Sequence, residues 1–135
     1  MTGLAQTADR SRILASSTDR FVAVYDLREA PSLSSPPLLS HPALPSSVST
    51  HPTDSNKAIT GAYDGVVRIW DLRSTKSAIT AFEMIGRSRE SRKNVQPADR
   101  KTKIMSVDWG HEIIGAAGES GVEIWRVNVQ GEAAR

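Results

Sequence analysis

From Ala58 to Arg73 the chain reads AITGAYDGVVRIWDLR. A short apolar run with small residues is followed by a polar Asp64-Gly65 pair and a second apolar run. Val66, Val67, Ile69 and Trp70 put apolar groups on both faces of that outgoing segment. A strand covered on both sides reads this way, whereas a sheet with one wet face alternates apolar with polar. Asp-Gly between two apolar runs predicts a hairpin with a type I′ turn, which needs two residues tolerant of positive φ. Arg68 interrupts the second run and is expected near a sheet edge.

The pattern recurs. ILASSTDRFVAVYDLR spans Ile13 to Arg28, and IIGAAGESGVEIWRV spans Ile113 to Val127. Each copy is a strand, a polar turn and a second strand ending in an aromatic. The aromatics are Tyr25, Trp70 and Trp125, 45 and 55 residues apart. The first spacing matches the ~40–45-residue period of a four-stranded propeller blade, and the second is that period with an insertion. PSSVST ahead of Ala58 and KIMSVDW ahead of Ile113 are rich in β-formers and predict a further strand before each hairpin. SAITAF, Ser77 to Phe82, predicts a fourth. No long helical pattern is present, so the class is all-β.

Composition narrows the chemistry. The 135 residues include no cysteine. That removes disulfides, thiolate zinc sites and a cysteine nucleophile. A net charge of +2 gives no global pull toward nucleic acid or membrane. MTGLAQTADRSR at the start has no apolar core, and no run approaches the ~18 residues of a membrane helix. The expected setting is soluble and intracellular, with no membrane partner.

The order His, strand, HPTDSNK, strand, Asp-Gly, strand, Trp-Asp resembles the WD-repeat signature. That resemblance implies a buried network pinning each blade, here His41, Thr60, Asp64 and Trp70, in which donors satisfy a buried carboxylate. The flanking copies depart from the pattern. Ala15 stands for the hydroxyl residue, Arg20 for the turn glycine and Tyr25 for the tryptophan; in the last copy Gly115 and Glu119 replace the hydroxyl residue and the aspartate. Within the middle copy, Ser40 precedes the histidine where glycine is usual, and Pro45 lies inside the first strand. The expected architecture is one incomplete WD-repeat propeller over residues 1–135. It has about three four-stranded blades, with repeats near 10–40, 41–85 and 101–128 and a basic inter-blade loop at 86–103.

Residues 10 to 127 resemble a narrower group. STHPTDSNK, DGVVRIWDLRS, a charged insertion and SVDW before the final repeat are similar to the C-terminal end of the WD repeat-containing protein 12 family, the Ytm proteins of ribosome biogenesis. The resemblance implies a non-enzymatic scaffold for rRNA processing and assembly of the large (60S) ribosomal subunit. Its expected partners are Pescadillo-type and Block-of-proliferation-type proteins and the pre-60S particle, and its expected location is the nucleus, nucleolus and nucleoplasm. A closed seven-bladed ring needs roughly 280–315 residues at this period, and an open stack has bare ends. The expectation is therefore a C-terminal fragment of a longer protein, or a truncated gene product. The family's N-terminal ubiquitin-like domain is not among these 135 residues.

Other chemistry finds little support. His41, His51 and His111 have no zinc-motif spacing. There is no Gly-x-Ser-x-Gly elbow, and GESG, Gly118 to Gly121, reads as a hairpin turn. GAAGES lacks the lysine and helix of a phosphate loop. No catalytic, cofactor or metal site is expected. Arg87, Arg89, Arg92, Lys93, Arg100, Lys101 and Lys103 face only Glu90 and Asp99 across Arg87–Lys103, a local net of +5 that leaves −3 elsewhere. This reads first as a solvated loop, and second as an import patch or a weak, non-specific RNA contact without stacking aromatics. The repeated Asp-Leu-Arg, at Asp26–Arg28 and Asp71–Arg73, also resembles the box by which WD-repeat substrate receptors dock on cullin-RING ubiquitin ligases. A generic signalling scaffold is a third reading.

Overall fold

The fold was analysed in a computed structural model, which describes residues 1–28, 35–85 and 102–127, and the backbone of 133–134. Three four-stranded antiparallel sheets follow one another along the chain. The first contains β1 (Gly3–Gln6), β2 (Arg12–Ser16), β3 (Phe21–Asp26) and β4 (Leu38–Ser40). The middle sheet contains β5 (Pro45–Thr50), β6 (Lys57–Ala62), β7 (Val66–Asp71) and β8 (Thr80–Glu83). The last contains β9 (Ile104–Trp109), β10 (Ile113–Gly118), β11 (Gly121–Val127) and β12 (Ala133–Ala134). Each sheet is ordered as a simple meander. They are successive blades of a partial WD-repeat propeller, and no helix occurs among the described residues.

The doubly apolar β7 is explained by its neighbours. Trp70, Leu72, Ala58 and Val48 pack with Leu14, Val22, Val24 and Leu39 of the first sheet. Ile59, Val67 and Ile69 pack on the opposite side with Ile104, Val107, Ile114 and Trp125 of the last. The middle sheet is therefore covered on both faces, as the reading of β7 required. Polar ties from β5 fasten it at its inner edge. Thr50 Oγ1 donates to Gln6 O at 2.7 Å on one side, and Ser47 Oγ accepts the Val107 N–H at 3.1 Å on the other. Pro45 is accommodated because it opens an edge strand beside a register shift, where no ladder donor is missed.

Three sequence expectations change. The first sheet begins at Gly3, well before residue 10. Its strand β1 carries little apolar signal because inter-blade bonds hold it, among them Thr2 Oγ1 to Pro45 O at 2.7 Å. Arg68 is not at an edge: β7 pairs with β6 and β8, and Asp64 neutralises the guanidinium. The Asp64-Gly65 turn is not type I′. Gly65 alone has positive φ (77°), and its N–H reaches Ala62 O at 3.1 Å. A type I turn followed by one left-handed residue closes the hairpin, so only one glycine is needed.

Arg20 occupies the same left-handed position in the first hairpin, at φ 70°. A side chain there costs roughly 1–2 kcal/mol relative to glycine's freedom. Arg20→Gly is expected to raise stability by about 0.5–1 kcal/mol, the gain reduced by glycine's greater unfolded-state entropy. Chemical denaturation of the two proteins checks this, and a lower midpoint for the glycine variant contradicts it.

Candidate functional site

The middle blade brings three of the four expected network residues together. Trp70 Nε1–H donates to Thr60 Oγ1 at 2.9 Å, and Thr60 Oγ1 lies 2.7 Å from His41 Nε2. His41 Nδ1 lies 3.0 Å from Leu39 O. A carbonyl can only accept, so Nδ1 carries the ring proton and Nε2 accepts from Thr60. The chain of donors then runs Trp70 to Thr60 to His41 to the Leu39 carbonyl, with every buried polar atom satisfied. The His41 and Trp70 rings pack at 5.3 Å. Thr60 is placed by β6, directly across β5 and β7 from Val48 and Arg68.

Asp64 stands outside this chain. Its carboxylate accepts the Val66 N–H at 3.1 Å and the Arg68 guanidinium at 2.7 Å. No bond from His41 reaches it, because the imidazole N–H is taken by Leu39. The expected four-residue network is thus a His-Thr-Trp relay with a separate Asp–Arg pair beside it.

Asp64 shares a device that recurs through the chain. Asp9, Asp19, Asp26, Asp54 and Asp71 each accept the backbone N–H two residues ahead, as Asp64 does. These aspartates shape turns by mimicking a backbone carbonyl. In Asp-Leu-Arg the device gains a second element. Asp71 also takes Arg73 Nε and Nη2 at 3.0 and 2.7 Å, and Asp26 takes Arg28 in the same way at 3.1 and 2.9 Å. The arginine clasp lowers the Asp26 carboxyl to about 2 and holds Asp71 well below the usual carboxylate range. Sequence reasoning saw the tripeptide's repetition but not this self-clasp, whose signal is the i, i+2 spacing of opposite charges.

His51 and Trp109 form a second polar-aromatic contact at the junction of the middle and last blades. The His51 Nδ1 lone pair accepts the N–H groups of Thr53 and Asp54 at 3.1 and 2.9 Å, closing the HPTD turn. Its ring meets Trp109 edge-on at 4.8 Å. Both histidines are required neutral, and burial lowers the pKa of each. A histidine lowered on folding adds stability that is complete above its unfolded value of ~6.5 and is lost as pH falls below it. The urea midpoint should therefore drop as pH moves from 7.5 toward 5; a flat midpoint across that window contradicts the neutral assignments.

No group of three or more potential metal ligands occurs among the described residues. Of the seven basic residues singled out between Arg87 and Lys103, six lie outside the described residues: Arg87, Arg89, Arg92, Lys93, Arg100 and Lys101. Lys103 is described, and its ammonium sits 5.2 Å above the Tyr63 ring. His111 borders a shallow depression with Glu112, Ile113 and Arg126.

No protein-family model matches the chain. It is 44% identical over 126 residues to the "Ribosome biogenesis protein YTM1" of Laccaria bicolor, covering 92% of this chain and 25% of that protein. It is 41% identical over 130 residues to the YTM1 protein of Coprinopsis cinerea, covering 96% and 26%. The "Ribosome biogenesis protein WDR12 homolog" of Ixodes scapularis is 25% identical over 126 residues, covering 91% and 26%. The chain thus spans about a quarter of the length of the curated relatives it matches, in their C-terminal region.

Proposed function

We propose that this chain, a homologue of the C-terminal region of the YTM1 ribosome biogenesis proteins, is a non-enzymatic scaffold acting in 60S subunit assembly and rRNA processing. The observation that carries the reading is the 44% identity to a protein of that name across nearly the whole chain. The structural chemistry supports a scaffold. His41 is committed to the His-Thr-Trp relay and His51 to the turn that follows it, and the repeats present protein surface on a β framework. The partners proposed are proteins of the Pescadillo and Block-of-proliferation type on the pre-60S particle, in the nucleus and nucleolus. Residues 86–103 add a weak, salt-dependent RNA contact.

The ligase-receptor reading is not favoured. Its docking arginines, Arg28 and Arg73, are each clasped by the aspartate two residues before them, and the relatives carry ribosome biogenesis names.

Affinity purification of the tagged chain from nuclear extract tests the proposal. Enrichment of large-subunit rRNA precursors with the two proposed partners is the expected result. Recovery of a cullin-ligase adaptor instead, or no enrichment over an unrelated propeller, overturns it. The RNA contact is tested separately by neutralising Arg87, Arg89, Arg92 and Lys93 together; unchanged RNA affinity at low salt removes it.

A further inference from the structure

The turn between β5 and β6 touches all three sheets, and His51 holds it together. His51 Nδ1 accepts the N–H groups of Thr53 and Asp54 at 3.1 and 2.9 Å. Asp54 in turn accepts the Asn56 N–H at 2.9 Å. The next two side chains reach the first sheet: Ser55 Oγ accepts the Asp9 N–H at 3.0 Å, and Asn56 Oδ1 accepts from Arg12 Nη2 at 3.1 Å. On the other side the His51 ring packs on Trp109 of the last sheet. Six aspartates in this chain shape turns by accepting a nearby backbone N–H. His51 does the same with an imidazole. Carboxylates stay acceptors to far lower pH than an imidazole does, because histidine alone titrates near neutrality.

A ring nitrogen that accepts two amides carries no proton, so neutral His51 is protonated on Nε2. Trp109 Nε1 is a buried donor without a partner among the described residues. Two donors cannot bond each other, so the contact with the last sheet is ring packing alone. In a histidinium both nitrogens donate, and no rotation of the ring restores an acceptor. Thr53 Oγ1, 3.4 Å away, can accept from such a ring, but neither amide can bond to it.

We propose that this turn is a proton-operated switch. A proton on His51 Nδ1 breaks both amide bonds and opens residues 51–54. Displacement of Asp54 passes through Asn56 to the ties with Asp9 and Arg12, while the three sheets keep their ladders. Pro52 and Thr53 are exposed, so the switch alters the surface presented at this edge of the stack. Burial is the largest influence on the ring and lowers its pKa. Asp54 raises it, and His111 of the β9–β10 turn and Lys57 at the start of β6 lower it. The closed turn is therefore fully stabilised above histidine's ordinary value of ~6.5 and loses that support as pH falls below it. His41 differs because it is buried within the relay, where a proton strains the whole fold.

Nuclear magnetic resonance of the 15N-labelled 135-residue chain tests this, in a titration from about pH 7.5 to about 5.5 that brackets the ordinary histidine value. His51 should start as the Nε2–H tautomer. As its ring charges, the Thr53 and Asp54 amides should lose protection from hydrogen exchange, and the Asp9 amide should shift with the same midpoint. Amides within β5, β6 and β7 should keep their protection. In His51→Asn the side-chain oxygen can accept the same two amides without titrating, so the pH response should vanish with the turn closed. An Nδ1–H tautomer at the start overturns the proposal. So do Thr53 and Asp54 amides that stay protected beside a charged ring, or an Asp9 amide that does not move. Loss of the strand amides at the same midpoint, or the same response in His51→Asn, also overturns it.

Discussion

Trp70→Ala is expected to lower the free energy of unfolding by about 3–5 kcal/mol, the range for removing a buried tryptophan. Trp70 is 2% exposed and lies between two sheets, so its loss empties the junction of the first and middle blades. Most of the effect is packing. Trp70→Phe keeps a ring there and should cost far less, because Thr60 retains its donation to His41. Thr60→Val attacks the polar part instead. It preserves volume but leaves the buried indole N–H and His41 Nε2 unpaired, at about 1–3 kcal/mol for each orphaned group. Combining Trp70→Phe with Thr60→Val should cost less than the sum, since the shared hydrogen bond is lost once. Urea unfolding of the four proteins provides the cycle. Strict additivity would show that the 2.9 Å contact carries no coupling.

The middle blade was the most legible part of the sequence, for a physical reason. Its Asp-Gly turn and its doubly apolar β7 both report locally on a strand packed from two sides. β5 and β9 were also visible, because β-branched residues cluster in them. β1 was not visible: backbone pairing to β2 and hydroxyl-to-carbonyl bonds to β5 hold it, and neither leaves an apolar run. Arg68 was misplaced because a charge inside an apolar run is equally the sign of an edge or of a buried partner, and only the fold shows Asp64 beside it. Asp64 itself was grouped with His41, Thr60 and Trp70 by resemblance. The competing acceptor, the Leu39 carbonyl, is a backbone group and has no signature in the sequence. In the same way, the clasped arginines of Asp-Leu-Arg look outward-reaching until their own aspartates are seen to hold them.

Gly61→Val should separate the middle blade from the last. A Cβ at Gly61 would lie 2.6 Å from Ile104 Cγ2 and 2.8 Å from Val107 Cγ1. Both neighbours are buried among the last sheet's core residues and cannot swing away. The sheets must part or the side chains must leave their rotamers, and such overpacking costs about 1–3 kcal/mol for a modest addition. Alanine at this position should fall in that range, and valine above it. The diagnosis is testable through its relief. Ile104→Ala alone removes a fully buried side chain and should cost about 2–5 kcal/mol. In the Gly61→Ala background it also removes the clashing methyl, so the double variant should be more stable than the two single costs predict by about 0.5–3 kcal/mol. A cycle without that coupling would mean that Gly61 is required for its backbone rather than for the close approach of β9. The same result would remove the steric explanation for a glycine in the middle of β6, where glycine otherwise weakens a strand.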